Sequence, residues 1–379
     1  MKIAQVAPLI ERVPPSLYGG TERIVSYLTD ELVALGHDVT LFASGDSITS
    51  AELVPCCTRA LRLDPTVHDA TPYLMLMIDK VRERANEFDI VHFHIDFFHF
   101  PLFRSLAAQT LTTLHGRLDL GDLEPFYSHF GEMPLISISN DQRKSLPNTN
   151  FVATIHHGIP PDLLRPSFHP GRYLAFLGRI SPEKRPDRAI RIARAAGIPL
   201  KLAAKVDKVD EDYFRKEIFP FINVPGVEFI GEINEREKIN FLGEAGALLF
   251  PVDWPEPFGL VMIEAMACGT PVLAFRCGSI PEVIEDGVTG KVVGSEAEAI
   301  AALPAILAYD RRAVRQRFED RFTSTRMARD YITAYRRLLK PHTSGAKQRL
   351  NGGNRLAPIS AEALLPPFYA TGESADTPI

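Results

Sequence analysis

The sequence predicts an α/β protein made of two doubly wound, Rossmann-like units in tandem. Three observations predict it. Short apolar runs alternate with segments of helical periodicity along nearly the whole chain. A proline-rich stretch divides that alternation into two series. And 379 residues exceed what one ordinary hydrophobic core organises. Strands and helices in strict alternation build parallel sheets covered on both faces.

The first series opens with "KIAQVAP" (2–8), an apolar run that reads as a buried strand. A loop with Pro14, Pro15, Gly19 and Gly20 follows, then a helix in which Ile24, Leu28, Leu32 and Leu35 recur at helical spacing, with Gly36 as its stop. "DVTLFAS" (38–44) is the next strand. "YLMLMIDKVRERANEF" reads as helix, "DIVHFH" (89–94) as strand, "PLFRSLAAQ" as helix and "TLTTLHG" (110–116) as strand. "PLISIS", a short helix from Asn140 and "FVATIHHG" complete the series. Residues 159–172 hold four prolines and read as a linker. The second series runs "YLAFLG", a helix near 186–196 stopped by Gly197, "LKLAAK", a helix near 211–222, "VEFIG", a helix near 235–244, "ALLFPV", a helix from about 259, "PVLAF" and more helix to about 309. The expected division is a domain over 1–160, a domain over 170–322, a last helix over 323–340, and a tail over 341–379 whose composition reads as disordered.

Composition excludes several classes of function. Hydrophobic residues make up 45% and charged residues 23%, as in a soluble globular protein, and a net charge of −5 does not point to nucleic acid. Residues 1–150 carry 12 basic against 19 acidic side chains, a poor match for an anionic membrane surface. Cys56, Cys57, Cys268 and Cys277 lack zinc-ligand spacing and are too few for a disulfide framework. Glu11 and Arg12 interrupt the start of the chain before a signal-length apolar run forms, and no window reaches the ~18 apolar residues of a membrane span. The expected compartment is the cytoplasm, with no transmembrane segment.

Chemistry concentrates in "WPEPFGLVMIEAMACGTPV" (254–272). Pro257 biases Glu256 away from helical geometry, and Gly259 tolerates close approach of backbone to a ligand. The apolar run that follows starts a helix near Gly259 or Leu260. Glu256 therefore stands ahead of a helix N-terminus and Glu264 inside the helix. Free N–H groups of a first turn favour an anion, while carboxylates accept hydrogen bonds from hydroxyls. The combination suits a polyol–phosphate–polyol ligand, meaning a nucleotide sugar. The plain alternative is an acidic first turn that complements the helix dipole. "GRISPEKRPDRAI" (178–190) follows the first strand of the second unit, where ligands of such sheets bind, and its Arg179 and Lys184 can be aimed at one diphosphate. The plain alternative there is a solvated basic loop.

"GRISPEKRPD", "EPFGLVMIEAMACGTPVLA" and the opening "YGGTERIVSYLTDELVALGHDVTLF" together resemble the retaining nucleotide-sugar glycosyltransferases of family four, with the GT-B fold of two Rossmann-like domains facing a cleft. The likeness covers about residues 1–340, and the family's E-x7-E signature falls on Glu256 and Glu264. The resemblance implies that Arg179 and Lys184 hold the donor diphosphate and stabilise it as leaving group, and that Glu256 binds hydroxyls of the transferred sugar. It implies that Phe258, Gly259 and Leu260 offer backbone N–H groups, and that Glu264 binds the ribose. Gly19 and Gly20 would let the first domain's loop close on the phosphates, Ile233 would meet the base through its backbone, and His115 would stand near the reacting sugar. Arg179, Lys184, Glu256 and His115 form the expected catalytic set. The resemblance also implies that the 323–340 helix returns to the first domain.

The activity so implied is transfer of a hexose from a nucleotide sugar to an unidentified hydroxyl acceptor, small molecule, glycan or lipid-linked, with retention and without a metal or other cofactor. UDP-glucose is the first expectation for the donor and GDP-mannose the second. The opening "APLIERVPPSLYGG" resembles relatives described as pteridine glucosyltransferase-like. Lys205 and Asp207 depart from the family's usual glycine-rich turn. Two other classes compete. A non-catalytic binding relative would tend to lose the four charged donor residues, which are all present. A dinuclear metal hydrolase would use His92, His94 and Asp96 of "HFHIDFFH", but Phe97 stands where that motif needs a histidine.

Overall fold

The computed structural model describes residues 1–222 and 224–340. The tail expected to be disordered, 341–379, lies outside the described residues. Seven strands form the first sheet: β1 (Lys2–Val6), β2 (Asp38–Ser44), β3 (Glu52–Cys57), β4 (Ile90–Phe93), β5 (Thr110–Thr113), β6 (Leu135–Ser137) and β7 (Phe151–Thr154). Six form the second: β8 (Tyr173–Ile180), β9 (Leu200–Val206), β10 (Val227–Gly231), β11 (Ala245–Phe250), β12 (Val272–Phe275) and β13 (Gly290–Val293). The orders are β3-β2-β1-β4-β5-β6-β7 and β10-β9-β8-β11-β12-β13. Every pair is parallel, for example Ile3 against Val39 and Ile90. Each sheet reverses its winding once, beside β1 and beside β8, and a crevice opens there beyond the strand ends.

Central strands read as apolar runs because both faces are covered, and β1, β4 and β11 are buried along almost their whole length. The periodicity of the first helix, Gly20–Ala34, places Ile24, Leu28 and Leu32 in the core. Edges are where the sequence reading falls short. β3 is partly exposed and carries Pro55, which an edge strand tolerates but which breaks its short apolar run. β13 interrupts what reads as helix up to 309. The expected helix over 211–222 is three short pieces, Glu211–Tyr213, Phe214–Ile218 and Phe219–Phe221, with Pro220 removing a helical donor in the last. The helix read over 101–109 is likewise one α turn, Phe100–Phe103, continued as 3-10 over Arg104–Gln109. An unpredicted helix, Arg311–Arg321, has only Val314 and Phe318 as large apolar anchors.

Two chain crossings join the halves, and they run side by side. Ile159 N donates to Phe322 O (2.9 Å) and Ser324 N to Ile159 O (2.9 Å). Beyond the second crossing, Thr323 caps the helix Ser324–Leu338. That helix lies on the first sheet. Its buried Tyr331 hydroxyl pairs with Thr113 Oγ1 (3.0 Å), Tyr335 with His92 Nδ1 (2.8 Å), and Ser324 Oγ donates to Glu31 (2.7 Å). Among the described residues no helix is long and apolar enough to cross a membrane.

A polar clasp adds to the crossings. Glu282, in the short helix Ile280–Val283, accepts from the backbone N–H of Asn140 (2.8 Å) and Asp141 (2.7 Å) and stands 3.2 Å from His156 Nε2. Partial burial pushes this carboxyl up, but the hydrogen bonds from His156, Asn140 and Asp141 outweigh it and hold it down at about 2. A carboxyl whose folded value lies below its unfolded one stabilises fully above the unfolded value and loses that contribution as pH falls toward the folded one. Urea titrations should therefore show the wild type losing about 2 kcal/mol between pH ~4.5 and pH ~2 that Glu282→Gln does not lose. Parallel pH curves for the two proteins would remove the clasp from the account.

Candidate active site

A cleft of about 560 Å³ opens beyond the carboxyl ends of both sheets' strands. Its walls include all the residues that the family resemblance assigns to the site: Gly19, Gly20, His115, Arg179, Lys184, Ile233, Glu256, Phe258, Gly259, Leu260 and Glu264. The first sheet contributes the loop after β1 and residues after β5, β6 and β7; the second contributes the ends of β8 and β9, Arg179 among them, and residues after β8, β10 and β11. A Cβ added to Gly20 would lie 3.7 Å from Leu260 Cδ1, so the start of the first helix in one half closely approaches the helix start of the other.

The helix facing the cleft is Leu260–Ala267. Gly259 precedes it with φ +81°, and a Cβ there would meet Met262 Cε at 2.8 Å and Phe250 Cζ at 3.1 Å. Only glycine satisfies both the backbone and the space at this helix start. Glu256 lies ahead of that turn and Glu264 inside the helix, 8% and 4% exposed. Each has a cation. Lys184 Nζ forms a close ion pair with Glu256, whose Oε2 also accepts from Trp254 Nε1 (2.8 Å). Lys238 Nζ donates to Glu264 Oε1 (2.8 Å) and lies 2.8 Å from Glu235 Oε1. Burial works against the charge on Lys238, but Glu264 and Glu235 outweigh it and its pKa is raised. The turn bearing Glu256 is backed by Gly278, where a Cβ would meet Glu256 N at 2.4 Å.

The expected phosphate-binding cations are thus engaged within the chain. Arg179 pairs with Glu183 (2.8 Å), Asp207 (3.4 Å) and Asp210 (3.7 Å), while its Nε is buried with no partner among the described residues. Lys205, the departure from the family pattern, pairs with Asp207 (2.9 Å) and stands 5.4 Å from the Tyr18 ring centre. Asp207 is shared between the two cations and its pKa is lowered despite the counteracting burial. Phe258 is buried against His157, and Ile233 lines the wall beyond β10.

His115 falls two residues beyond β5, in the loop and not within the strand. Its Nε2 is 2.9 Å from His94 Nδ1 and its ring stacks on His157 with centroids 5.3 Å apart. Burial pushes its pKa down to about 3, so the ring is neutral at physiological pH. His92 and His94 do not form a metal centre. Both rings are used in hydrogen bonds, His92 to Tyr335 and Thr113 (each 2.8 Å) and His94 to His115 and Gln5. Among the described residues no group of three or more His, Cys, Asp or Glu is arranged to hold a metal ion.

Residues 18–146 match the family described as Glycosyltransferase Family 4, and residues 166–321 the one described as Glycosyl transferases group 1, together about three quarters of the chain. The chain belongs to the family-four glycosyltransferases. It is 28% identical over 218 residues to the D-inositol 3-phosphate glycosyltransferase of Mycolicibacterium paratuberculosis, spanning 51% of this chain and 49% of that one. The chain thus spans about half the length of that curated relative. A crystallised glycosyltransferase involved in avilamycin A biosynthesis superimposes with a TM-score of 0.69 at 24% identity, covering 89% of this chain and 98% of the other. The HepE protein of Anabaena, crystallised in complex with UDP-glucose, gives 0.66 at 15% identity over 89% of this chain and 100% of its own. These likenesses show the GT-B arrangement of two Rossmann-like domains.

Several residues in and beside the cleft escaped sequence reading. Lys238 and Glu235 are three residues apart on the helix Glu235–Gly243, an ordinary surface pair by spacing. Their neighbours come from elsewhere: Arg23 Nη1 donates to Glu235 Oε2 (2.7 Å) and Tyr27 OH to the same oxygen (3.2 Å), both from the first helix. Trp254 and Glu22 line the cleft as well. Removing Lys238 leaves two carboxylates short of their shared cation. Lys238→Met should lower unfolding stability by about 3 kcal/mol in denaturant titration, and a loss below ~0.5 kcal/mol would mean the carboxylates find other partners.

Proposed function

We propose that the protein transfers a hexose, glucose from UDP-glucose in the first instance, to a hydroxyl acceptor with retention of anomeric configuration. The observation that supports it is the pairing in one cleft of two buried carboxylates with a helix N-terminus between them and cations beside it. Carboxylates suit sugar and ribose hydroxyls; the helix start, Arg179 and Lys184 suit the diphosphate between them. A solved relative in complex with UDP-glucose supports the choice of donor.

In the proposed reaction the bond from the anomeric carbon to the diphosphate oxygen breaks and a bond to the acceptor oxygen forms on the same face. The acceptor proton passes to the departing phosphate oxygen. Charge accumulates on the leaving group, where Lys184, Arg179 and the first-turn N–H groups of Leu260–Ala267 stand ready, an electrostatic preorganisation. Lys184 has two possible anions, Glu256 and the diphosphate. Exchange between them would free Glu256 for sugar hydroxyls as the donor seats. Neutral His115 would stand beside the sugar as a hydrogen-bonding group without adding charge. These side chains supply the counter-charge that a divalent ion supplies elsewhere, so the reaction is proposed to proceed without one.

Hydrolysis of the donor in the absence of acceptor tests this directly. Incubation with UDP-glucose, UDP-galactose, UDP-N-acetylglucosamine and GDP-mannose should release nucleotide from UDP-glucose fastest, equally with and without EDTA. Faster release from GDP-mannose would replace the donor, and inhibition by EDTA would remove the metal-free mechanism. Lys184→Ala should raise the barrier by about 2–4 kcal/mol. Glu256→Gln should impair turnover while leaving UDP affinity, measured calorimetrically, nearly unchanged. The opposite pattern, lost UDP binding with turnover intact, would reverse the roles of Glu256 and Glu264.

A further inference from the structure

Two cations and two carboxylates alternate along the wall beyond β10, and they come from both halves of the chain. Arg23, on the first helix, holds two groups with its guanidinium fork. Nη1 donates to Glu235 Oε2 (2.7 Å), and Nη2 donates to the carbonyl of Leu17 (2.6 Å), in the loop that leads to Gly19. Tyr27 OH donates to the same Glu235 oxygen (3.2 Å). Lys238 Nζ stands between the two carboxylates at equal distance. Its bond to Glu264 Oε1 (2.8 Å) is aligned, whereas Glu235 Oε1, also at 2.8 Å, is a charge contact without hydrogen-bond geometry. Among the described residues no other side chain donates to Glu264. Burial pushes the Glu235 carboxyl up, but Lys238 and Arg23 outweigh it and its pKa is lowered. Arg23 and Glu264 are 7% and 4% exposed, so water is a poor substitute for either partner. Lys238 and Glu264 line the cleft, and Glu235 does not.

The position of Lys238 depends on Arg23. With Arg23 on its other oxygen, Glu235 leaves the aligned bond of Lys238 to Glu264. With Arg23 withdrawn, Glu235 has Lys238 as its one remaining cation, already in contact, and draws it from Glu264. We propose that Glu235 is a positioning residue that keeps Lys238 on Glu264 only while Arg23 of the first half is docked, so that Glu264 is set to grip the ribose diol of the donor in the closed cleft and not in an open one. The ribose rests on the donor reading above; the dependence of Lys238 on Glu235 and Arg23 does not. A lysine paired with Glu264 alone would hold it at all times. Sharing that lysine with a carboxylate tied to the other half makes the hold conditional on closure.

Calorimetric affinities for UDP and for 2′,3′-dideoxyuridine diphosphate isolate the ribose contribution, because a change of charge near the diphosphate acts on both ligands and cancels in their ratio. Wild type is expected to prefer UDP. In Glu235→Gln, which keeps the volume and removes the charge, that preference should fall roughly five- to tenfold, the range for one net hydrogen bond. Arg23→Met should lower it similarly, and the double variant no further than the larger single loss. A preference unchanged in folded Glu235→Gln would overturn the positioning role, even if both ligands bind more weakly, since that is what a merely structural role gives. Losses that multiply in the double variant would overturn it too, because Arg23 would then act on the nucleotide by its own contact. If Glu235→Gln does not fold, Tyr27→Phe removes a single hydrogen bond to Glu235; a fall of about twofold is expected, and none overturns the role. If wild type binds the two ligands alike, the ribose reading of Glu264 fails first and the inference falls with it. If guanosine diphosphate binds in place of UDP, the choice of donor falls, and the same ratio measured with its dideoxy form decides the role of Glu235.

Discussion

Two carboxylates less than a tenth exposed, beside an apolar helix, need cations, and the cleft is organised around that requirement. Lys184 comes from the loop after β8 to meet Glu256, and Lys238 comes from the helix Glu235–Gly243 to meet Glu264. Each lysine draws further partners. Trp254 closes over the first pair, with its ring centre 4.9 Å from Lys184 Nζ. Glu235, held by Arg23 and Tyr27, shares the second. The charge pairing that keeps Glu264 buried thus reaches across to the first helix of the other half.

Topology decides why these groups meet at all. In a parallel sheet every strand ends on the same side, so the loops after β8, β9, β10 and β11 collect at one rim. The first sheet brings its β1 and β5 loops to the facing rim. The adjacent crossings at Ile159 and Thr323, the Glu282 clasp and the last helix hold the two rims together. Apolar packing runs through the same junction, where Phe258 lies against both His157 and Phe322.

The histidines show how one motif can be read two ways. "HFHID" has metal-like spacing, yet a buried strand end places His92 and His94 on neighbours that satisfy them one by one: a tyrosine, a threonine, a glutamine and another histidine. Burial keeps both rings neutral. Neutral imidazoles each have one donor and one acceptor, and such a chain transmits direction from one ring to the next.

The sequence by itself determined the alternation of strands and helices, because central parallel strands must be apolar and helices beside them must show a 3.6-residue period. It determined the position of Glu256 ahead of a helix and Glu264 within it, since Pro257 and Gly259 act on their own backbone and neighbours. It also marked Arg179 and Lys184 as cations at a strand end, although both read as loop residues and the structure keeps Arg179 within β8, with only Lys184 in the loop after it. Edge strands β3 and β13 were not legible, because Pro55 interrupts the first and the second is only four residues with Gly290 and Lys291 leading it. The partners were not legible either. Lys184 lies 72 residues from Glu256, Lys238 lies 26 from Glu264, and Arg23 lies 212 from Glu235. Those pairings are set by where two sheets place their loops, and the desolvation that makes them necessary exists only once the chain is folded.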